Sequence, residues 1–473
     1  MSVNQETLRG VPAIILLIKQ ALSGEHRDYT TGSVRRAVFL LAIPMILEMM
    51  MESVFAVVDI YFVGKIGKNE AVATVVLTES ILTIIYSLAM GLGMAATALI
   101  ARRTGEKNPE AASRSAVQAL LIAILITIVI SITGVVFAPD MLRLMGGSEQ
   151  TIKEGTPYTR LMFGSSIVII LLFLINGIFR GAGNASIAMR SLWLANLCNI
   201  ILCPVLIIYG LGPIPAMGLL GAAVATSIGR GIGVAYQLYH LVNGKGVITI
   251  RKAHLMPDPK IIRSILNISW GATAQFLIAS ASWIVLARII AEYGDAAVAG
   301  YGLAIRLMMF FLLPAYGMSN AAATLVGQNL GAGLPDRAAA SVWRTAGYNA
   351  IFTGIITILF LFFAGNVVAF FNQDRAVIAY GTNALKIICL GFVLYGVGMV
   401  VTNSFNGAGD TKTPTLINIF GFWLFQVPLA YLLAIILQMG PTGVFIAVLL
   451  AESAITITGI ILFRKGNWKR INI

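Results

Sequence analysis

The sequence predicts an all-α polytopic membrane protein, with twelve transmembrane helices in two six-helix bundles related by an internal parallel repeat. Three observations support this fold class. Of the 473 residues, 58% are hydrophobic and 11% are charged, whereas soluble domains carry about 25% charged residues. Apolar stretches of about 20 residues, long enough to cross a bilayer as helices, recur along the chain. The third observation is a set of matching residues at one constant offset.

The spanning segments are expected to be helices, because barrel strands would alternate polar and apolar residues. The predicted spans are residues 37–63, 72–100, 115–138, 157–179, 187–210 and 216–242 in the first half, and 262–291, 297–328, 338–366, 378–405, 413–438 and 442–463 in the second.

Four regions follow along the chain. Residues 1–33 form a cytoplasmic segment. Its residues Val11, Ile14, Ile15, Ile18 and Leu22 share one helical face, which predicts a helix over Leu8–Leu22 lying on the membrane surface. Residues 34–243 form an N-terminal lobe of six helices. Residues 244–260 are a basic, proline-containing linker, and residues 261–473 form a C-terminal lobe.

Lysine and arginine predict the orientation, because cytoplasmic loops retain these residues. Most of them fall in the two terminal segments, the linker and the loops on the same side. The chain is therefore predicted to lie in the cell inner (plasma) membrane with both termini in the cytoplasm. The net charge of +13 is explained by this topology and gives no reason to expect a nucleic-acid partner.

The internal repeat has an offset of 226 residues. Gly91 matches Gly317, and the segment Phe179-x-Gly181-Ala182-Gly183 matches Phe405-x-Gly407-Ala408-Gly409. Further matches are Ala71-Val72-Ala73 with Ala297-Val298-Ala299, Gly105 with Gly331, and Pro109 with Pro335. Six spans per copy is an even number, so both copies enter the membrane in the same sense. Two such bundles can enclose a cavity that opens to either side, which predicts a carrier with alternating access.

Three acids lie in the first predicted span, although ionisable groups in a bilayer cost about 2.5–3.5 kcal/mol each. Glu48, Glu52 and Asp59 fall within about 40° of one another around the helix, because successive residues turn by about 100°. The stripe must therefore face the protein interior. It predicts a proton or cation site; the alternative is a stripe neutralised by buried arginines, with Arg288 and Arg306 available.

Several motifs resemble those of a known family. Val58-Asp59-x-x-Phe62-Val63-Gly64-x-x-Gly67 looks like the first-helix signature of the multidrug and toxic compound extrusion (MATE) transporters. Gly327-Gln328-Asn329-x-Gly331-Ala332-Gly333-x-Pro335 and the paired Phe-x-Gly-Ala-Gly segments are similar to its cytoplasmic loop motifs. Asn196–Pro204, followed by Gly218-x-x-Gly221-Ala222-Ala223-x-Ala225-Thr226, resembles its helix 5–6 region. The resemblance covers about residues 34–465.

This resemblance implies a twelve-helix antiporter that exports organic, often cationic and amphipathic compounds in exchange for protons or sodium. In the family the acid that matches Asp59 belongs to the N-terminal coupling site. Asn199 and Thr226 match positions of its polar network. Asn176 is a further candidate for ion coupling, although it could equally serve as structural glue between helices.

The coupling ion is inferred from missing acids. Cys203 stands where the family usually has an acid before the proline of helix 5, and residues 262–291 and 376–409 contain no Asp or Glu, unlike sodium-coupled members. Protons are therefore favoured, with sodium as the alternative. Glu79 and Arg306 are assigned to the substrate cavity. Glu79 could instead be a structural partner of Arg230, Arg288 or Arg306. Glu452 could be a partner of one of the same arginines or a substrate contact.

Two other functions compete with efflux. A lipid-linked oligosaccharide flippase would need a groove rich in arginine and lysine, whereas this chain has a deep acidic stripe. A membrane-embedded enzyme would need a catalytic loop or a metal cluster, and neither is present in the sequence, so no catalytic residue, metal ligand or cofactor is predicted. The expected partners are a small organic substrate and the lipid bilayer, and the expected state is a monomer.

Overall fold

The computed structural model describes residues 11–24, 27–67, 69–210, 215–243, 246–471 and 473, without the side chains of residues 11–14, 56, 57, 59, 60 and 69. Helices account for nearly all of these ranges, which hold no β-strand. In chain order the α-helices are α1 (Val11–Leu22), α2 (Val34–Gly64), α3 (Asn69–Gly105), α4 (Pro109–Leu144), α5 (Glu149–Gly164), α6 (Ser166–Gly181), α7 (Ala185–Pro204), α8 (Leu219–Val242), α9 (Pro259–Ala291), α10 (Asp295–Gly331), α11 (Pro335–Phe371), α12 (Arg375–Cys389), α13 (Phe392–Ala408), α14 (Lys412–Asn418), α15 (Val427–Tyr431) and α16 (Pro441–Lys465).

Twelve membrane crossings follow from these helices. Eleven segments in the described ranges are long and apolar enough to span a bilayer, and the pair α12–α13, bent by 58°, supplies a twelfth. The predicted number is thus confirmed. Helices α5 and α6 form one span, and π-helical turns extend α7 to Tyr209 and join α14 to Ile436.

The N-terminal helix begins at Val11 among the described residues, and the first three residues predicted for it, 8–10, lie outside them. Its C-terminal end packs against α2 and the start of α7, where the Ser186 hydroxyl donates to the carbonyl of Ala21 at 2.6 Å. Ile15 and Ile18 remain exposed on the outer face. The location of α1 on the membrane surface stays a prediction.

The first long helix of each half packs across the boundary between the halves. Helix α2 contacts α7 of its own half and α10 of the other half, and α9 lies along α3. Glycine makes these approaches close: a Cβ on Gly317 would meet the carbonyl oxygen of Met45 at 2.5 Å, and one on Gly91 would meet the Thr273 hydroxyl at 2.1 Å. The two bundles therefore share a packed interface.

Both ends of the described chain lie on one side of the molecule, here called the terminal side. Arg103, near the C-terminal end of α3, donates to the carbonyl of Ile473 at 3.0 Å. Asn184, directly before α7, donates to the carbonyl of Gly24 at 3.0 Å. An even number of crossings returns the chain to its starting side, so this arrangement agrees with twelve spans.

The predicted linker is bound to the first half along its described part. Gln118 of α4 donates to the carbonyls of His254 and Met256, at 2.8 and 3.0 Å. Arg114 lies 3.5 Å from Asp258, the residue that caps α9. Residues 246–258 therefore form a packed connection between the halves.

Candidate ion-coupling site

A buried polar network occupies the interior of the N-terminal half. Its centre is Glu48 of α2, which is 1% exposed. One carboxylate oxygen accepts from the Asn176 amide at 2.9 Å and from the Arg180 guanidinium at 3.3 Å. Helix α6 brings both donors inward because it lies almost against α3, where a Cβ on Gly177 would meet the carbonyl oxygen of Gly93 at 2.3 Å.

The same network continues through α7 and α8. The Ser191 hydroxyl donates to the amide oxygen of Asn176 at 3.1 Å, and Gln237 donates to that oxygen and, at 2.9 Å, to Ser191. All of these side chains are buried. Buried polar groups are expensive unless they are hydrogen-bonded, so the network fixes four helices around one carboxylate.

Glu52, one turn after Glu48, forms a second ion pair. Its carboxylate lies 3.4 Å from Arg230 of α8, and the Asn196 amide donates to it at 3.4 Å. The Arg230 guanidinium carbon also lies 5.2 Å from the ring centre of Phe55, and 5.5 and 5.8 Å from those of Tyr86 and Phe173. Three aromatic faces and a carboxylate form an environment suited to a cation.

A third group lies between α7 and α8. The Asn199 amide donates to the Thr226 hydroxyl at 3.0 Å, and the Cys203 thiol donates to the amide oxygen of Asn199 at 3.4 Å. The structure thus brings together the two residues that the family motif assigned to a polar network. Their role in ion coupling stays a prediction.

Two acids of the predicted stripe, Glu48 and Glu52, are paired with arginines, although not with the two arginines that were considered as partners. Arg180 and Arg230 neutralise Glu48 and Glu52, whereas Arg288 and Arg306 are exposed. The reason is helix packing: α6 and α8 surround α2, and the helices that carry Arg288 and Arg306 turn those side chains outward. Asp59 lies on α2, and its side chain is outside the described part of the structure.

The two residues that were assigned to the substrate cavity are exposed. Glu79 on α3 and Arg306 on α10 both lie on the surface of the protein. Neither contributes to the cavity between the halves, so their assignment to a substrate path stays a prediction.

A small cavity lies between the two halves, close to the network. It has a volume of about 30 Å³, which is room for about two water molecules. Arg180 reaches it from the first half, and polar residues of the second half face it. The lining residues are Met49, Met90, Gly93, Met94, Thr97, Phe173, Arg180, Tyr316, Asn320, Ala323, Asn403, Asn406 and Gly407.

Amides take the place of acids on the C-terminal side of this cavity. Asn403 donates to Asn320 at 2.8 Å, and Asn406 and Gln275 exchange hydrogen bonds at 3.0 and 3.1 Å. No three His, Cys, Asp or Glu side chains among the described residues come together in a way that could hold a metal ion. The carboxylate that Arg180 connects to this cavity is that of Glu48 on α2.

Sequence reasoning missed Arg180, Arg230, Ser191 and Gln237 as members of the network. A signal was present for the arginines, because each lies within or at the end of an apolar stretch and a charge there requires a partner. Which acid each arginine would meet depends on helix rotation, and the sequence alone does not fix that rotation.

Comparison with known proteins places this geometry in a family. The MatE family model matches residues 44–205 and 272–432. The chain is 26% identical over 445 residues to the probable multidrug resistance protein YoeA of Bacillus subtilis (strain 168), covering 93% of this chain and 96% of that protein. It is 24% identical over 442 residues to the probable multidrug resistance protein NorM of Thermotoga maritima, covering 92% and 94%.

The fold is also similar to solved structures. One is the outward-facing conformation of a multidrug resistance MATE family transporter of the MOP superfamily, with a TM-score of 0.88 and 25% identity over 94% of this chain and 99% of that chain. A crystal structure of a MATE protein in complex with MaL6 has the same TM-score at 24% identity.

Proposed function

Since the chain belongs to the MatE family of multidrug efflux transporters, we propose that it is a secondary active antiporter that exports organic cations in exchange for protons. Its relatives are transporters rather than enzymes. We further propose that it works as a monomer in the plasma membrane, with the terminal side in the cytoplasm.

The observation that carries this proposal is that one arginine connects a buried carboxylate of α2 with the cavity between the halves. Arg180 lines the cavity and also bonds to Glu48. A shift of α2 that follows protonation of Asp59 would therefore reach the cavity through the Glu48–Arg180 pair. Since an antiporter needs this kind of communication between its ion and its substrate, the arrangement supports coupling at α2.

Within the stripe, the proton is assigned first to Asp59. Glu48 and Glu52 already hold arginines, and protonating either acid would leave a buried guanidinium without its counter-charge. Asp59 lies two turns beyond Glu52 on the same face of α2 and matches the family's coupling acid. A cationic substrate and a proton would then compete for one negative charge.

Protons are favoured over sodium by the supply of oxygen ligands. A hard cation requires several oxygen atoms around it, whereas the carboxylates of Glu48 and Glu52 are already engaged by arginine and asparagine donors. Thiol and amide donors occupy the Asn199 group. A proton needs only one carboxylate.

Transport in everted vesicles tests the proposal. The uptake of a fluorescent organic cation is measured under an imposed proton gradient and, separately, under a sodium gradient, for the chain and for Asp59→Asn. Proton-driven uptake that Asp59→Asn abolishes is the expected result; the exposed-acid variant Glu292→Gln is the control and should transport like the parent chain. Uptake sustained by sodium alone would overturn the ion assignment, and the absence of cation uptake under both gradients would overturn the substrate assignment.

A further inference from the structure

An isolated acid is buried in the second half. Glu452 lies on α16 and is 7% exposed. The arginine partner considered for it is absent: among the described residues Glu452 makes no ion pair and no hydrogen bond. A carboxylate anion in this position is costly. Since the mechanism assigned to α2 makes no use of this acid, its presence requires a separate explanation.

The surroundings of Glu452 restrict what it can bind. It faces a cavity of about 10 Å³, which at most about one water molecule could fill. The walls are mainly aromatic and aliphatic, and the residues that line it are Trp283, Met308, Ile388, Gly391, Phe392, Tyr395, Val448, Leu449 and Glu452. The space excludes an organic cation, and two side-chain oxygen groups are too few for a metal cation. A proton fits.

The cavity lies at a break in a transmembrane helix. Helices α12 and α13 form one span, bent by 58° between Cys389 and Phe392. Gly391 in the break lies close to α16, because a Cβ there would meet the side chain of Leu449 at 2.7 Å. Helix α13 starts at this point, and the N-terminus of a helix favours a nearby negative charge. The break and the acid are therefore parts of one local structure.

The internal repeat places the same break in the first half, where it has different chemistry. At the offset of 226 residues, Gly391 matches Ser165, which separates α5 from α6. There the Ser165 and Ser227 hydroxyls are hydrogen-bonded at 2.7 Å, and α5 and α6 form one span rather than a strongly bent pair. Glu452 matches Thr226, a member of the Asn199 group. A titratable acid thus accompanies only the strongly bent copy.

Few other charges can influence this acid. Of the titratable groups on the elements packed against α16, the Tyr395 phenol shares its cavity. The Cys389 thiol on α12 is buried and donates to the carbonyl of Lys386. The Trp283 indole is the polar group that α9 contributes to the lining of this cavity. The charged residues on these elements and on α10 that are exposed are Lys260, Arg263, Arg288, Asp295, Arg306, Arg375, Lys386, Lys412 and Arg470.

We infer that Glu452 is a second proton-binding site, and that its protonation is linked to the bend between α12 and α13. In the bent span the walls around Glu452 are mainly apolar, which favours the protonated acid. The ionised carboxylate needs water or a polar partner, which a change in the bend can admit. Each transport cycle then carries one proton through the second half in addition to the one assigned to Asp59. This inference rests on proton coupling as proposed above.

Trp283 provides a test that does not depend on transport. It lines the same cavity as Glu452. Its fluorescence is measured across a pH series as the difference between the signal of the purified chain and that of its Trp283→Phe variant. We expect one titration step that is lost in Glu452→Gln and in Glu452→Thr, the residue found at the matched position. It should be retained, with a shifted midpoint, in Glu452→Asp and unchanged in Glu292→Gln. A step that persists in Glu452→Gln would overturn the inference.

Proton stoichiometry supplies the second readout. In proteoliposomes, the number of protons exchanged per substrate cation is obtained from the voltage at which net transport reverses. Glu452→Gln is expected to lose one proton per cycle while still transporting, and an unchanged ratio would overturn the inference. If the parent chain shows no proton-driven transport but the Trp283 titration disappears in Glu452→Gln, the coupling ion proposed above is wrong and proton binding at Glu452 is supported.

Discussion

At the residue scale, the interior of the N-terminal half is governed by two carboxylate–guanidinium pairs. Glu48 is almost fully buried and Arg180 nearly so. Removing two charges from water is expensive, and their attraction compensates for this only when the remaining atoms are also hydrogen-bonded. Asn176 donates to the same Glu48 oxygen as Arg180, whereas the other Glu48 oxygen and the Arg180 Nε have no hydrogen-bond partner among the described residues. The pair is therefore sensitive to the loss of either partner.

Removing the arginine of the first pair should destabilise the protein. We expect Arg180→Met to lower the free energy of unfolding by about 3–5 kcal/mol, because Glu48 would be left as a buried charge without its counter-ion. The double variant Glu48→Gln with Arg180→Met should lose less than the sum of the two single variants. Thermal unfolding of the purified proteins in detergent measures both effects.

The exposed pair of Arg143 and Asp140 is the matched control. Both side chains are more than half exposed, and surface pairs contribute about 0–1 kcal/mol. Arg143→Met should therefore leave the unfolding temperature nearly unchanged. Equal losses in Arg180→Met and Arg143→Met would contradict the assignment of a buried pair that stabilises the fold.

At the element scale, glycines determine where α3 and α10 cross. A Cβ on Gly105 would meet the carbonyl oxygen of Gln328 at 1.9 Å, and a Cβ on Gly331 would meet that of Arg102 at 2.1 Å. These two glycines are equivalent in the repeat, and each lies against the other helix. Small residues let helix backbones approach closely in membranes, so the crossing closes the terminal side.

A methyl group at this crossing should separate the helices. Gly331→Ala is expected to lower the free energy of unfolding by about 1–3 kcal/mol, because a backbone atom lies in the path of the new Cβ and must move. Hydrogen exchange should rise at the ends of α3 and α10. Both quantities are measured on the purified protein by thermal unfolding and by hydrogen-exchange mass spectrometry.

Gly347→Ala on α11 is the control for this substitution. No atom lies within 4 Å of the position of its added Cβ, and alanine is favoured over glycine in a helix by about 1 kcal/mol. Stability should be unchanged or slightly increased. A loss in Gly347→Ala as large as that in Gly331→Ala would show that the crossing itself is not responsible.

At the scale of the whole molecule, the two halves are held together on the terminal side by arginines that bind backbone carbonyls. Arg337 at the start of α11 donates to Tyr29, Thr31 and Gly32 at 3.2, 2.7 and 2.8 Å. Arg102 donates to Ala408 and Ile471 at 3.2 and 3.0 Å. The alternating access proposed above would open the central cavity toward this side, and these bonds would then have to break.

Loss of the Arg337 bonds should therefore favour opening on the terminal side. In Arg337→Ala, three hydrogen bonds worth about 1 kcal/mol each are lost. A cysteine that replaces Met94, a cavity residue, in a chain without its three native cysteines should react at least several-fold faster with an impermeant maleimide in everted vesicles. Mass spectrometry of the labelled protein gives the rate.

Two controls accompany this measurement. Arg337→Lys retains the charge but donates fewer directed hydrogen bonds, and its labelling rate should lie between those of the parent chain and Arg337→Ala. In vesicles of the opposite orientation, Arg337→Ala should not accelerate labelling. Faster labelling from both sides would indicate general loosening of the fold and would contradict a lock on one side.

The sequence by itself determined that the chain crosses a membrane twelve times, that its two halves repeat, and that the first span carries acids on one face. These properties follow from composition and periodicity, because a bilayer requires long apolar helices and a helix turns by a fixed angle per residue. The family motifs added the transporter class. The bend at residues 389–392 could have been suspected from Gly391 but not established.

Only the tertiary structure decided which groups meet. It paired Glu48 with Arg180 and Glu52 with Arg230, residues up to 178 positions apart in the chain, and left Glu452 without a partner among the described residues. The packing of neighbouring helices sets the rotation and depth of each helix, and no local pattern encodes that packing. An acid in a membrane span indicates that a partner or a function is needed, and the fold decides which of the two it has.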